Sequence, residues 1–129
     1  MPSGVLSVLT GDSRDGSAAD TLVNHPDVDV LSFTGSGPVG QKLLQASAAH
    51  LRPTGLELGG KGSLIVFDDV QDIDAAVDWA MLGIFYCAGQ VCSATSRLLV
   101  QDTIADQFIA RLKEKAQNIR MGHPLDENT

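Results

Sequence analysis

The chain has 129 residues, 43% of them hydrophobic and 19% charged, with a formal charge of −7. That composition belongs to a folded globular protein, long enough for one compact domain and short for two. The acidic balance argues against a nucleic-acid backbone as partner, and no stretch approaches the roughly 20 apolar residues a membrane span needs.

The opening "MPSGVLSVLTG" lacks the basic and then apolar regions of a signal peptide. Two cysteines, Cys87 and Cys92, make no disulfide framework, so both are expected reduced in a cytosol-like, cytoplasmic compartment. His25, His50 and His123 show no ligand spacing, and no metal site is expected.

Taken in chain order, "GVLSVLTG" (4–11) reads as a short strand closed by Gly11. "SRDGSAADTLVNHP" follows, with Ala18, Ala19, Leu22 and Val23 at helical spacing and Pro26 as a stop. "VDVLSFTG" (28–35) is a second strand, apolar along its length as buried parallel strands are. A helix is expected from Val39 to about His50, with Leu43, Leu44 and Ala48 on one face. "TGLELGG" (54–60) and "SLIVFDD" (63–69) are two further strands.

Asp72 or Asp74 is placed to cap the next helix, "AAVDWAMLGIFYCA" (75–88), which Gly89 ends. Its apolar residues lie on nearly every side, the pattern of a helix enclosed in a large protein. "SRLLVQD" is another strand, and residues 104–119 repeat apolar side chains at helical period until Gly122 and Pro124. Strands alternating with helices predict an α/β fold. The enclosed helix and the abrupt ends predict a piece of a larger protein.

Three stretches carry candidate chemistry. "GSGPVG" (35–40) follows a strand and opens a helix, so its glycines and the helix N-terminus suit a pyrophosphate, or equally form a plain tight turn. Glu57 lies 17 positions beyond Gly40, where a dinucleotide fold places a ribose-binding acid. In "LELGGK" (56–61) the same carboxylate is also a candidate general base at a cleft edge, or a plain exposed acid. Cys87 falls inside the apolar helix and reads as a packed hydrophobe. Cys92 lies beyond Gly89 among small residues, open to a substrate as a nucleophile must be. Asp68, Asp69, Asp72, Asp74 and Asp78 fit turn and first-turn acids better than a metal cluster.

"FTGSGPVG", "LELGGK" and "GQVCSATSR" in this order resemble the aldehyde dehydrogenase superfamily, and the similarity covers nearly the whole chain. The resemblance implies a partial aldehyde dehydrogenase fold: residues 1–59 as the C-terminal part of a Rossmann-like NAD(P)-binding domain, and 60–129 as the N-terminal part of the catalytic domain. It implies Cys92 as nucleophile toward an aldehyde and Glu57 as the base that activates the hydrolytic water. Thr34, Gly35, Ser36, Val39, Leu58 and Gly59 become the cofactor-binding residues, for NAD or NADP. It also implies a homo-oligomeric parent several times longer than this chain.

The string "VCSATSRLLV" is most similar to the betaine-aldehyde and amino-aldehyde branch. Other enzymes of the superfamily pass the thioester to CoA and do without the glutamate; a non-catalytic nucleotide-binding module is the remaining alternative. The chain departs from the family pattern at Gly62–Ser63, where Ser-Pro is usual, and at Cys87–Ala88, where an asparagine is common. The 35 positions between Glu57 and Cys92 are one more than the family pattern, with the extra residue assigned to "DDVQDID".

Overall fold

Two parallel strand pairs organise the computed structural model, which describes residues 1–11, 18–127 and 129. The chain divides into two compact units, Met1–Gly59 and Gly60–Thr129. Parallel neighbours cannot be joined by a tight hairpin, so in each unit a helix carries the chain back to the start of the next strand.

In the first unit, α1 (Ala18–Asn24) leads to β1 (Leu31–Gly35), α2 (Gly37–Ala48) and β2 (Thr54–Leu58). The register runs from Leu31 opposite Thr54 to Gly35 opposite Leu58. α2 packs closely on β2 because Gly40 has no side chain: a Cβ there would meet the methyl groups of Leu58 at 2.9 and 3.3 Å. Pro38 stands in the first turn of α2, where its missing N–H costs no helical hydrogen bond. The helix therefore begins two residues before Val39.

Arg52 is buried beneath these elements. Its Nη2 donates to the Val23 carbonyl at 2.7 Å, and its Nη1 to those of Val28 and His25 at 3.2 and 3.4 Å. It thereby ties the C-terminal end of α1 to the loop before β1.

In the second unit, β3 (Ser63–Val66) pairs in parallel with β4 (Arg97–Val100), and α3 (Ile73–Phe85) crosses between them. Asp72 caps α3, its Oδ1 accepting from the N–H groups of Asp74 and Ala75, both at 3.0 Å. A short 3₁₀ turn, Tyr86–Gly89, follows α3, and α4 (Asp102–Gln117) closes the unit. The core is Phe108 from α4 against Val66, Val77 and Ala80, with Phe108 and Val77 fully buried. Arg111 and Lys115 on α4 pair with Asp74 and Asp78 on α3.

Three expectations need correction. Residues 4–11 form no strand: Val5, Leu6, Val8 and Leu9 are exposed, and among the described residues no neighbouring strand supplies the hydrogen bonds an apolar pattern alone cannot make. The apolar helix stops at Phe85, because Cys87 and Ala88 turn left-handed at φ 51° and 55°. Within the second unit only its Val77 and Ala80 are buried, while Trp79, Leu82 and Phe85 are exposed. The last helix ends at Gln117, ahead of Gly122: Asn118 donates its side-chain N–H to the Glu114 carbonyl. Residues 12–17, which the sequence assigns to the approach to the first helix, lie outside the described residues. No helix among the described residues is long and apolar enough to cross a membrane.

Two outcomes follow from the packing of the second unit. Phe108→Ala removes its largest buried side chain and should cost about 3–5 kcal/mol, most of what a unit this small holds. A denaturant melt should then show the α3–α4 unit unfolded or barely cooperative; an unchanged midpoint would refute the core assignment. The second outcome is pH-dependent. The Arg111 guanidinium, hydrogen-bonded to Asp74, holds that carboxyl below its ordinary 3.8, with Lys115 adding to the effect. A depressed carboxyl stabilises the fold above its unfolded pKa and loses that contribution as pH falls through the folded one. The stability gap between the native chain and Asp74→Asn should be small, since both partners are more than a third exposed. It should hold from pH 7 to about 5 and close below 3.8; urea melts across that range would detect a gap that ignores pH.

Candidate active site

Side-chain alternation sorts the ends of β1 and β2 into two faces. Leu56 and Leu58 point to α2, and the Phe33 ring covers Gly35, where any side chain would displace it. Thr34 and Glu57 stand opposite one another in the register, both exposed, on the face away from the helix. The structure thus brings Thr34 and Glu57 together and sets Leu58 on the other face, packed on Gly40. Gly59 continues directly from the strand, with open space where a Cβ would be.

Beyond Gly35 the chain passes through Ser36, extended at φ −83° and ψ 151°, into α2. The Ser36 side chain makes no capping bond. Gly40 N–H reaches the Ser36 carbonyl at 3.0 Å, and Gly37 faces open space. The first-turn N–H groups of Gly37 and Val39 therefore have no side-chain cap. They sit at the positive end of a 12-residue helix, a donor set that suits a phosphate oxygen. Val39 also lines a mostly apolar cavity of about 560 Å³ between α1 and α2, with Val23, Phe33 and Leu43 in its wall and Asp20 and Lys42 at its polar part. Uncapped amides beside an apolar cavity are groups that could hold the phosphate and the apolar face of a phosphate-bearing cofactor. Asp20 and Lys42 are not marked by any sequence motif, and Phe33 enters a motif only as the first residue of "FTGSGPVG" with no role of its own; their place in this wall emerges only when α1 folds against α2.

Cys92 belongs to the second unit and Glu57 to the first. After the left-handed residues Cys87, Ala88 and Gly89, Gln90 N–H returns to the Cys87 carbonyl at 3.1 Å. A second turn follows, closed by Ala94 N–H to the Val91 carbonyl at 3.0 Å, and it carries Cys92. Both thiols are free and exposed. Cys87 is therefore no packed hydrophobe: the change of backbone hand lifts it off the helix. Thr95 N–H then bonds the Gly83 carbonyl on the last turns of α3 at 2.8 Å. Arg97 fastens the far side, its backbone N–H to the Gly62 carbonyl at 3.2 Å and its Nε to the Lys61 carbonyl at 3.0 Å.

The acids of the "DDVQDID" region serve structure. Asp72 caps α3, Asp74 and Asp78 pair with α4, and Asp68 accepts from the Thr103 hydroxyl at 2.9 Å.

The family model described as the aldehyde dehydrogenase family matches residues 1–129. Aminoaldehyde dehydrogenase 2 of Solanum lycopersicum is 52% identical over 128 residues, 99% of this chain and 25% of that protein. Betaine aldehyde dehydrogenase of Hordeum vulgare is 51% identical over 127 residues, 98% of this chain and 25% of that protein. Among solved structures, betaine aldehyde dehydrogenase from Staphylococcus aureus, in complex with NAD⁺, has a TM-score of 0.80 at 42% identity, with 88% of this chain and 23% of that one covered. An NADP-dependent enzyme of E. coli has a TM-score of 0.86 at 39% identity, covering 92% and 24%. The chain thus spans about a quarter of the length of the curated relatives it matches.

Exposure of both sulfurs has a direct consequence. Iodoacetamide should alkylate Cys87 and Cys92 in the native chain without denaturant, giving a doubly modified species by mass spectrometry. A thiol that reacts only after unfolding would contradict the loop geometry.

Proposed function

Because the chain belongs to the aldehyde dehydrogenase family, we propose that it is the segment carrying the nucleophile, the base and part of the cofactor site for NAD(P)-dependent oxidation of an aldehyde to a carboxylic acid. The observation that carries this reading is the parallel register that sets Glu57 beside Thr34 at the carboxyl ends of two strands, next to the uncapped start of α2. Ligands of open α/β sheets bind at such ends.

In this reading the residues divide the work as follows. Gly35 and Ser36 hold the pyrophosphate with the first amides of α2, Val39 lies against the adenosine side, and Thr34 and Gly59 border the nicotinamide, with Leu58 reaching it through its backbone because its side chain packs on Gly40. When bound, NAD(P)⁺ supplies the acceptor for the hydride. The Cys92 thiolate adds to the aldehyde carbon, and the tetrahedral oxyanion so formed takes a hydrogen bond from the Cys92 backbone N–H. Once the substrate carbon is oxidised, a thioester remains on Cys92. Glu57 takes a proton from a water that attacks this thioester, releasing the acid and the free thiol. A relative that passed its acyl group to CoA would have no need of this carboxylate.

An aminoaldehyde or betaine aldehyde is the proposed substrate class, supported by the relatives at about half identity. A cytosol-like compartment belongs to the same proposal, supported by the two free thiols; the names of some relatives carry a chloroplast or a peroxisome instead. Action within a longer polypeptide is supported by the exposed apolar side chains Trp79, Leu82 and Phe85 and by the length of the relatives.

The test is a graft of these residues in place of the matching quarter of a full-length relative. The graft should reduce NAD⁺ with aminoaldehydes, whereas the 129-residue chain alone should show no turnover. Cys92→Ala should lower turnover by at least about 10³-fold. Glu57→Gln should leave a rapid burst of NADH followed by a slow steady state, because the base acts after oxidation. Turnover retained in Cys92→Ala, or weakened cofactor binding with fast deacylation in Glu57→Gln, would overturn these roles.

A further inference from the structure

α3 contains a glycine where alanine is ordinarily favoured, inside an apolar helical run. The neighbour of Gly83 explains it. Thr95, arriving from the far side of the Cys92 loop, donates its N–H to the Gly83 carbonyl at 2.8 Å. Its Oγ1 occupies the space a Gly83 Cβ would need, with its own Cβ and Cγ2 at 3.4 and 3.6 Å from that point. Between these two residues run the end of α3, the left-handed turn and the turn that holds Cys92. Along this stretch, backbone hydrogen bonds close short turns within the loop itself, from Cys87 to Gln90 and from Val91 to Ala94. Thr95 is the point at which the loop is returned to its helix.

We propose that Gly83 and Thr95 form a clasp that closes the base of the Cys92 loop and sets where the thiol stands, making them positioning residues for the nucleophile. The inference rests on the reading of Cys92 as nucleophile. Its mechanism is steric and simple. A methyl at position 83 coincides with Oγ1, and a β-branched side chain has few rotamers into which to retreat. Thr95 must then move off the helix and carry residues 91–94 with it. Removing the hydroxyl and methyl from Thr95 leaves its backbone bond intact and its Cβ in ordinary contact with the methyl. The harm done by Gly83→Ala should therefore be undone by Thr95→Ala.

The experiment is a double-mutant cycle on the full chain: Gly83→Ala, Thr95→Ala and the pair together. Two quantities are read: hydrogen exchange of the residue 95 amide, and the pH profile of iodoacetamide alkylation at Cys92 by peptide mapping. A merely structural role would leave that profile unmoved. Gly83→Ala should speed exchange of the amide by about tenfold or more and displace the Cys92 profile. Thr95→Ala should stay within about twofold of the native chain, and the pair should return to it. A Gly83→Ala chain that matches the native one in both readouts, or a pair that keeps the single defect, overturns the clasp. Should Gly83→Ala not fold, the pair carries the test: folded with the native profile it supports the clasp, unfolded it refutes it. Failure of the nucleophile reading shows elsewhere, as turnover surviving Cys92→Ala in the graft, whatever the cycle gives.

Discussion

Parallel pairing is the constraint from which the rest of this structure descends. In a parallel pair the end of one strand and the start of the next lie at opposite edges of the sheet, so each unit has to spend a helix on the return journey. In the first unit that helix starts immediately beyond β1, which is why an N-terminus with unclaimed amides lies beside the end of the neighbouring strand. The same geometry makes Gly40 necessary, since the returning helix must lie flat on Leu56 and Leu58. In the second unit the returning helix is α3, and the chain between it and β4 becomes the loop that bears Cys92.

Much of this was legible in the residues, and the reasons are local. Asp72 and Asp74 before an apolar run both read as caps, and Asp72 is the one that serves. The β2 segment is bounded by the turn before it and the paired glycines after it. Alternation within "TGLEL" sorts its side chains onto two faces. What was not legible depends on contacts between segments distant in sequence. "GVLSVLTG" has the pattern of a strand, but a strand is a relation between two stretches of chain and not a property of one. Cys87 continues the apolar run of α3 on paper. The backbone leaves the helix there, and nothing in the string names Thr95 as the partner of Gly83.

The two units are held by different means. The second has a true centre in Phe108 and Val77, flanked by ion pairs between α3 and α4 that guide register more than they stabilise. The first has no fully buried apolar side chain among the described residues. Its order rests on the ladder between β1 and β2, on the contact at Gly40, and on polar groups such as Ser47 and Thr54, whose hydroxyls meet at 2.7 Å.

Arg52 shows what such an arrangement entails. α1 has seven residues, too few for a helix to persist in water on its own strength. Its last turn is tied down by a guanidinium from beyond α2, which takes up the Val23 carbonyl and, with the same side chain, those of His25 and Val28. One cation thus links the end of α1 to the approach to β2, nearly thirty residues away. Part of the wall of the cavity that Val39 lines is α1 itself, through Asp20 and Val23. The cation that holds the end of α1 therefore also holds that side of the cavity, although it touches none of the space inside.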